Sequence, residues 1–216
     1  MKTKLLTIAM TAALMLTAMT KVQAQNFDGP CLPPSHGLDD HQSAFCGVMQ
    51  TIALLTGTTW VSFYVDVTLE DLKAVLVEAA PGTSIKITGQ NNNTTYNPNT
   101  HRWLGTLTWD LSKMYMIKVT TECEITLQGD PIDPVDYPVT INEGNNWIAF
   151  PLNQSVTLTD AFAGFAVSND KVFGQTGSAT YARRWSGSLT ELQPGKGYIY
   201  KAASGPRTLV FPSNAK

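Results

Sequence analysis

Residues 57–65 read GTTWVSFYV and residues 144–152 read GNNWIAFPL, the same Gly-x-x-Trp-aliphatic-small-Phe phrase 87 positions apart. The agreement extends well beyond the phrase. KITGQ (86–90) answers KVFGQ (171–175), WLGTL (103–107) answers WSGSL (185–189), and MYMIK ending at Lys118 answers GYIYK ending at Lys201. The offset drifts only from 87 to 82, so the halves differ by a few loop residues. Collinear matching of this kind marks a chain built from two like units. It predicts repeat unit 1 over residues 47–129 and repeat unit 2 over 139–216. Between them, residues 130–138 carry three prolines and three aspartates, which makes a short stiff linker. Each unit has about 80 residues, near the lower limit for folding alone.

Within a unit the pattern is mostly strand. TIALL (51–55) and TWVSFYVDV (59–67) read as a hairpin-like pair around Gly57. Residues 68–79 place Leu69, Leu72, Val75 and Leu76 at helical spacing, with acidic residues in the first turns and Pro81-Gly82 as the stop. The counterpart, TLTDAFAGFAV (157–167), spaces Leu158, Ala161, Phe162 and Phe165 similarly, but Gly164 weakens it. The segments that follow are short and β-rich. The fold class is therefore mainly β (α+β): two tandem homologous small β-sheet or sandwich units, each with one short helix. One helix per unit is too few for a parallel βαβ architecture.

The tryptophans carry the functional question. Alternate residues of a strand face opposite ways, so Val61, Phe63 and Val65 form a core face, as do Ile148, Phe150 and Leu152. Trp60 then points away from that core with Ser62 and Tyr64, and Trp147 with Ala149 and Pro151. Two readings follow: these indoles pack under a covering layer, or they form an aromatic platform that stacks on sugars or partner side chains. The candidate ligand-binding residues are Trp60, Tyr64, Trp109 and Trp147, with Trp109, in an irregular TWDLSK turn, the best single candidate for exposure. Trp103 and Trp185 each precede a glycine by two residues, which leaves room for a ring to lie across the backbone. QPGKGYIYK (193–201) lacks the phosphate-loop spacing and precedes a strand, so it reads as a tight turn.

The N-terminus has the three parts of a secretory signal over residues 1–24: Lys2 and Lys4, an apolar run from Leu5 to Met19, and Val22-Gln23-Ala24 before the cut. That run is too short for a comfortable membrane span, and none follows it. Cleavage removes three lysines and leaves 12 basic against 17 acidic residues, with no basic cluster beyond Arg183-Arg184. The balance excludes a nucleic-acid partner. The expected location is secreted or in the cell envelope. In the leader segment, 25–46, Cys31 and Cys46 enclose fourteen residues and suit a disulfide in an oxidising compartment. Cys123 reads as a free thiol on a strand face. His36 and His41 lie near Asp39 and Asp40, but the prolines and glycine around them favour a plain loop over a metal site. No catalytic motif is present, and the matched positions are apolar, aromatic or glycine. They predict no enzyme, no cofactor and no metal.

GxxWIxFPL, WxGxL and LxPGKGYxYK resemble tandem repeats in secreted and surface proteins of Bacteroidetes bacteria. The similarity spans about residues 48–214, including the junction MYMIKVTTECEITLQGDPIDP and the GNNWIAFPL that follows it. The family phrase usually carries Gly-Trp-Asn-Trp, and both copies here lack its first aromatic. The resemblance implies a module without an established catalytic role. The expected function is a non-catalytic module for adhesion, glycan or protein contact, its partner an extracellular glycan or surface protein. The alternative is a structural spacer or subunit of a larger cell-envelope assembly. A small secreted hydrolase has least support.

Overall fold

The computed structural model describes residues 47–213; the signal segment, the leader with Cys31, His36, His41 and Cys46, and residues 214–216 lie outside the described residues. The first unit comprises β1 (Val48–Leu54), β2 (Gly57–Val61), α1 (Leu69–Ala79), β3 (Ile85–Thr88), β4 (Asn93–Asn97), β5 (Arg102–Thr106), β6 (Tyr115–Val119) and β7 (Cys123–Gly129). The second comprises β8 (Val139–Ile141), β9 (Gly144–Ile148), β10 (Val156–Thr157), α2 (Leu158–Ala161), β11 (Lys171–Phe173), β12 (Ser178–Tyr181), β13 (Trp185–Gly187), β14 (Glu191–Leu192), β15 (Tyr198–Ala202) and β16 (Arg207–Leu209). The protein is mainly β, with two small sheet units and one short helix in each.

The two units share one strand order. The first has a five-stranded antiparallel sheet, β2-β6-β3-β4-β5, and a separate pair, β1-β7. The second has β9-β15-β11-β12-β13 and the pair β8-β16, with an added two-residue ladder, β10-β14. Each unit encloses its own apolar cluster. One gathers Val61, Phe63, Val65, Leu72, Leu76 and Ile117. The other gathers Ile148, Phe150, Leu152, Leu158, Phe162 and Tyr200. The alternating core triplets are thus interior in both units, as the strand period requires.

The hairpin expected around Gly57 does not form. β1 runs antiparallel to β7 in full register from Val48↔Gly129 to Leu54↔Cys123, and β2 pairs with β6. Gly57, at φ 100°, turns the chain out of one ladder and into another. That conformation is left-handed backbone open to glycine at no steric cost. Gly144 repeats it at φ 88° in the second unit.

Helix α1 starts where its cap dictates. The Thr68 hydroxyl accepts the Asp71 N–H, while an Asp71 carboxylate oxygen accepts the Thr68 N–H. This closes a capping box and satisfies two backbone donors that a helix start leaves bare. Leu72 and Leu76 are buried; Glu70, Asp71 and Glu78 face solvent. Helix α2 is a single turn. Thr157 caps it through Asp160 N, but the chain leaves at Phe162, and Gly164 sits at φ 69°. The helical spacing of Phe162 and Phe165 therefore ends up in a turn, not a helix.

The linker is tied to the first unit. Asp66 N donates to Asp130 O (2.7 Å) and Ile132 N to Tyr64 O (3.0 Å), while Ile132 and Pro134 are buried. No helix among the described residues is long and apolar enough to cross a membrane.

Candidate functional site

The five-stranded sheets each end in an edge strand, β2 or β9, whose outer backbone groups lack a ladder partner. Such an edge invites pairing with another chain unless something covers it. Here each unit covers the other's edge with a glutamine. Gln175 Oε1 accepts Trp60 N (2.8 Å) and its Nε2 donates to Thr58 O (2.7 Å). Reciprocally, Gln90 Oε1 accepts Trp147 N (3.1 Å) and its Nε2 donates to Asn145 O (3.3 Å). A carboxamide presents one donor and one acceptor side by side, as a peptide group does, so each glutamine stands in for one link of a missing strand.

The backbone closes the remainder of the seam in the same paired way. Ser62 N donates to Gly195 O (3.1 Å) and Ala149 N to Ser112 O (3.0 Å). On one side the QPGKG turn goes further: Gly197 N donates to Trp60 O (3.2 Å), and the Ser62 hydroxyl donates to Lys196 O (2.6 Å). A side chain at Gly197 would meet Met114 Cβ at 2.8 Å and Val61 O at 2.9 Å. The glycine there is required by contact distance. The reciprocity, residue for residue, is that of an isologous contact contained in one chain.

This seam covers the face that the strand alternation left open. Ser62 is 0 % and Tyr64 7 % exposed. Tyr64 is held further by its hydroxyl, which donates to Met49 O, and by its N–H, which donates to the Gln50 side chain. It offers no free face and leaves the platform set. Trp109 leaves it too. Its ring stacks on Tyr115 at 4.6 Å and lies 5.2 Å from Phe63, and its indole N–H donates to Val67 O (2.8 Å). The irregular turn that suggested exposure instead folds the indole back as a strut across the β2 exit. Trp147 is half-buried in β9, opposite Ile199.

Trp60 is different. It is half-buried on the wall of a cleft of about 430 Å³ where the units meet. The cleft takes Ala53, Leu55 and Trp60 from the first unit and Gln175, Ser188, Thr190, Glu191, Gln193 and Lys196 from the second. Gln193 Nε2 donates to Glu191 Oε1 (2.8 Å), which fixes the carboxylate's orientation. Behind them Tyr198 accepts Gln193 N (2.7 Å), and burial pushes its phenol up to about 12, so it is a neutral structural group. The arrangement combines an aromatic wall, an apolar patch at Leu55, and amide, hydroxyl and carboxylate groups at one rim. That suits recognition of a polar, ring-bearing ligand.

Two further tryptophans pack on cross-strand tyrosines. Trp103 lies across from Tyr96 (5.4 Å) and Trp185 across from Tyr181 (5.2 Å), each pair in cross-strand register. Their neighbouring glycines serve the backbone more than the ring, since a Cβ on Gly105 would meet Asn93 O at 2.6 Å. His101 sits in a hairpin turn at φ 52° with its Nδ1 on the Tyr96 hydroxyl, 3.2 Å away. Cys123 is a free, half-buried thiol. Among the described residues no three His, Cys, Asp or Glu side chains gather as metal ligands do.

Sequence reasoning missed Gln90 and Gln175. A signal was present: each ends a matched KxxGQ, and each is a polar residue preserved where most matched positions are apolar or glycine. Compared with known proteins, the chain matches no family model, no curated protein and no solved structure.

Proposed function

We propose that this protein is an exported, non-catalytic binding module that makes glycan contacts in adhesion or surface assembly through the Trp60 cleft. The observation that carries the reading is Trp60 itself: a half-buried indole on a cleft wall, faced by amide and hydroxyl side chains. Trp109 spends its N–H on the fold, whereas among the described residues no bond occupies the Trp60 indole nitrogen. An indole face stacks on the C–H face of a sugar, and its free edge stays wet. The secretory pattern of residues 1–24 supports an extracellular or envelope glycan as the partner. A spacer role within a larger envelope assembly is favoured by a separate observation, the reciprocal seam that fixes the two units against each other.

A glycan array probed with the chain from Gln25 onward, alongside Trp60→Ala, distinguishes them. Glycan binding that Trp60→Ala abolishes, with the melting temperature of the variant retained, supports the binding module. Failure of the folded wild type to bind any glycan would leave only the spacer.

A further inference from the structure

Resting on the reading of Trp60 as a glycan contact, we infer that the site continues past that cleft into a groove for a linear, uncharged oligosaccharide with a second aromatic stacking position at Trp185. A second depression of about 390 Å³ lies on the second unit, lined by Trp185 with Leu158, Thr159, Arg184 and Ser186. Leu189 and Thr190 belong to both depressions, so one short wall separates them. Each is of the size that takes a small organic ligand, and two that share a wall offer room for a chain.

The wall between them is rigid. Leu189 N donates to Ser178 O (3.2 Å) and Leu158 N donates to Thr190 O (3.0 Å), so segment 188–190 is pinned on both sides by backbone bonds. Trp185 is equally fixed, with Tyr181 at 5.2 Å and Phe162 at 5.5 Å, yet it stays half-buried with part of its ring toward the depression. An indole held by the fold, as Trp185 is, loses little freedom when a ligand arrives, which is what makes a platform effective. Between the two indoles lie the hydroxyls of Ser188, Thr190, Thr159 and Ser186, groups that both donate and accept as sugar hydroxyls do. Charge is sparse and mixed: Lys196 with Glu191 at one end, Arg184 at the other. The two linings carry no cluster of like charge, since Lys196 shares its depression with Glu191 and Arg184 stands alone in the other, and this favours a neutral chain.

Calorimetric titration of the chain from Gln25 onward with β-1,4-linked glucose and N-acetylglucosamine oligomers of one to six units tests the groove. The expected result is affinity that rises at least tenfold between the two-unit and six-unit oligomers of the series that binds. Trp185→Ala should erase that gain, so that long and short oligomers bind alike. Because Trp185 also packs on Phe162, a second variant is needed: Thr159→Trp puts a bulky ring in the second depression alone, at an exposed position outside the Trp60 cleft, and should erase the gain without touching the core. If wild type binds short and long oligomers equally, or both variants keep the length dependence, the groove is wrong while the Trp60 site stands. If wild type binds neither series but retains other array glycans through Trp60, the groove is likewise wrong. If no glycan of any kind binds, the Trp60 reading fails with it.

Discussion

At the scale of the residue, the two units offer a comparison at one core position. In the second unit Asp170, 0 % exposed, lies among Tyr200, which donates its hydroxyl, Arg207 Nη2 (3.0 Å), Ala203 N (2.8 Å) and Val167 N (2.9 Å). The strand registers put Ile85, Ile117 and Cys123 at the matching places of the first unit. One fold thus accommodates either a buried ionic network or two isoleucines with a cysteine, in line with the near-equality of such networks and apolar packing. Removing a single partner is another matter. Asp170→Ala strands Arg207 and the Tyr200 hydroxyl, and should cost about 3–5 kcal/mol in denaturant unfolding. The triple change Asp170→Ile, Tyr200→Ile, Arg207→Cys should cost much less than Asp170→Ala alone; a larger cost would refute the interchange. The network also sets an acid limit. Desolvation pushes the Asp170 carboxyl up, but its bonds from Ala203, Tyr200, Val167 and Arg207 outweigh this and hold it below the usual carboxylate range. Its contribution is therefore present above the unfolded value of about 4 and fades as pH falls toward the lower folded value. Stability measured from pH 5 downward should drop more steeply in wild type than in the triple variant. At the alkaline end, burial pushes Tyr115 and Tyr198 up to about 12. A raised phenol stabilises the fold fully below the unfolded value of about 10 and loses that contribution as pH rises toward 12. Phenolate absorbance at these two residues should appear together with unfolding, not before it.

At the scale of the element, the reciprocal glutamines decide what happens at β2 and β9. Each carboxamide makes two exposed hydrogen bonds to a backbone edge, and a bond of this kind is worth about 0.5–1.5 kcal/mol. Gln175→Ala should raise amide exchange at Trp60 N and leave Trp147 N protected; Gln90→Ala should do the reverse. Equal exchange at both sites in either variant would mean that the seam, not the glutamine, provides the protection. These contacts also show where sequence reasoning reaches. The α1 helix with its acidic first turn, the core triplets around Phe63 and Phe150, and the turn before Tyr198 follow from local chemistry and were readable. The partner of β1 was not. Gln50, Ile52 and Leu54 alternate inward whichever strand lies alongside, so proximity suggested β2, while the ladder goes to β7 more than seventy residues on. The length of α2 was only half readable, because Gly164 signals a stop without saying where. The site suffered most. Tyr64 and Trp109 look available in one dimension, and their burial depends on what folds over them from Met49, Gln50, Phe63, Val67 and Tyr115. Trp60 stays half-buried on the wall of a cleft between the units, which no local pattern encodes.

At the scale of the molecule, the question is whether two cores make one cooperative body. Two separate apolar clusters, in units of about 80 residues, would each be marginal alone. The seam between them contains bonds from the fully buried Ser62, to Lys196 O and Gly195 O, that are lost when the units part. Separation would also bare β2 and β9 as unpaired edges. These costs couple the units, so calorimetry should record one transition whose van't Hoff and calorimetric enthalpies agree. Gly197 is the place to break the coupling. A methyl there meets Met114 and Val61 O at under 3 Å, and overpacking of this sort costs about 1–3 kcal/mol. The cost falls on the seam and not on either core, so Gly197→Ala should lower the melting temperature and reduce cooperativity, and combining it with Gln90→Ala and Gln175→Ala should resolve two transitions. A wild type that already melts in two steps, or a triple variant that keeps a single one, would show that the units owe their stability to their own cores and meet only as neighbours.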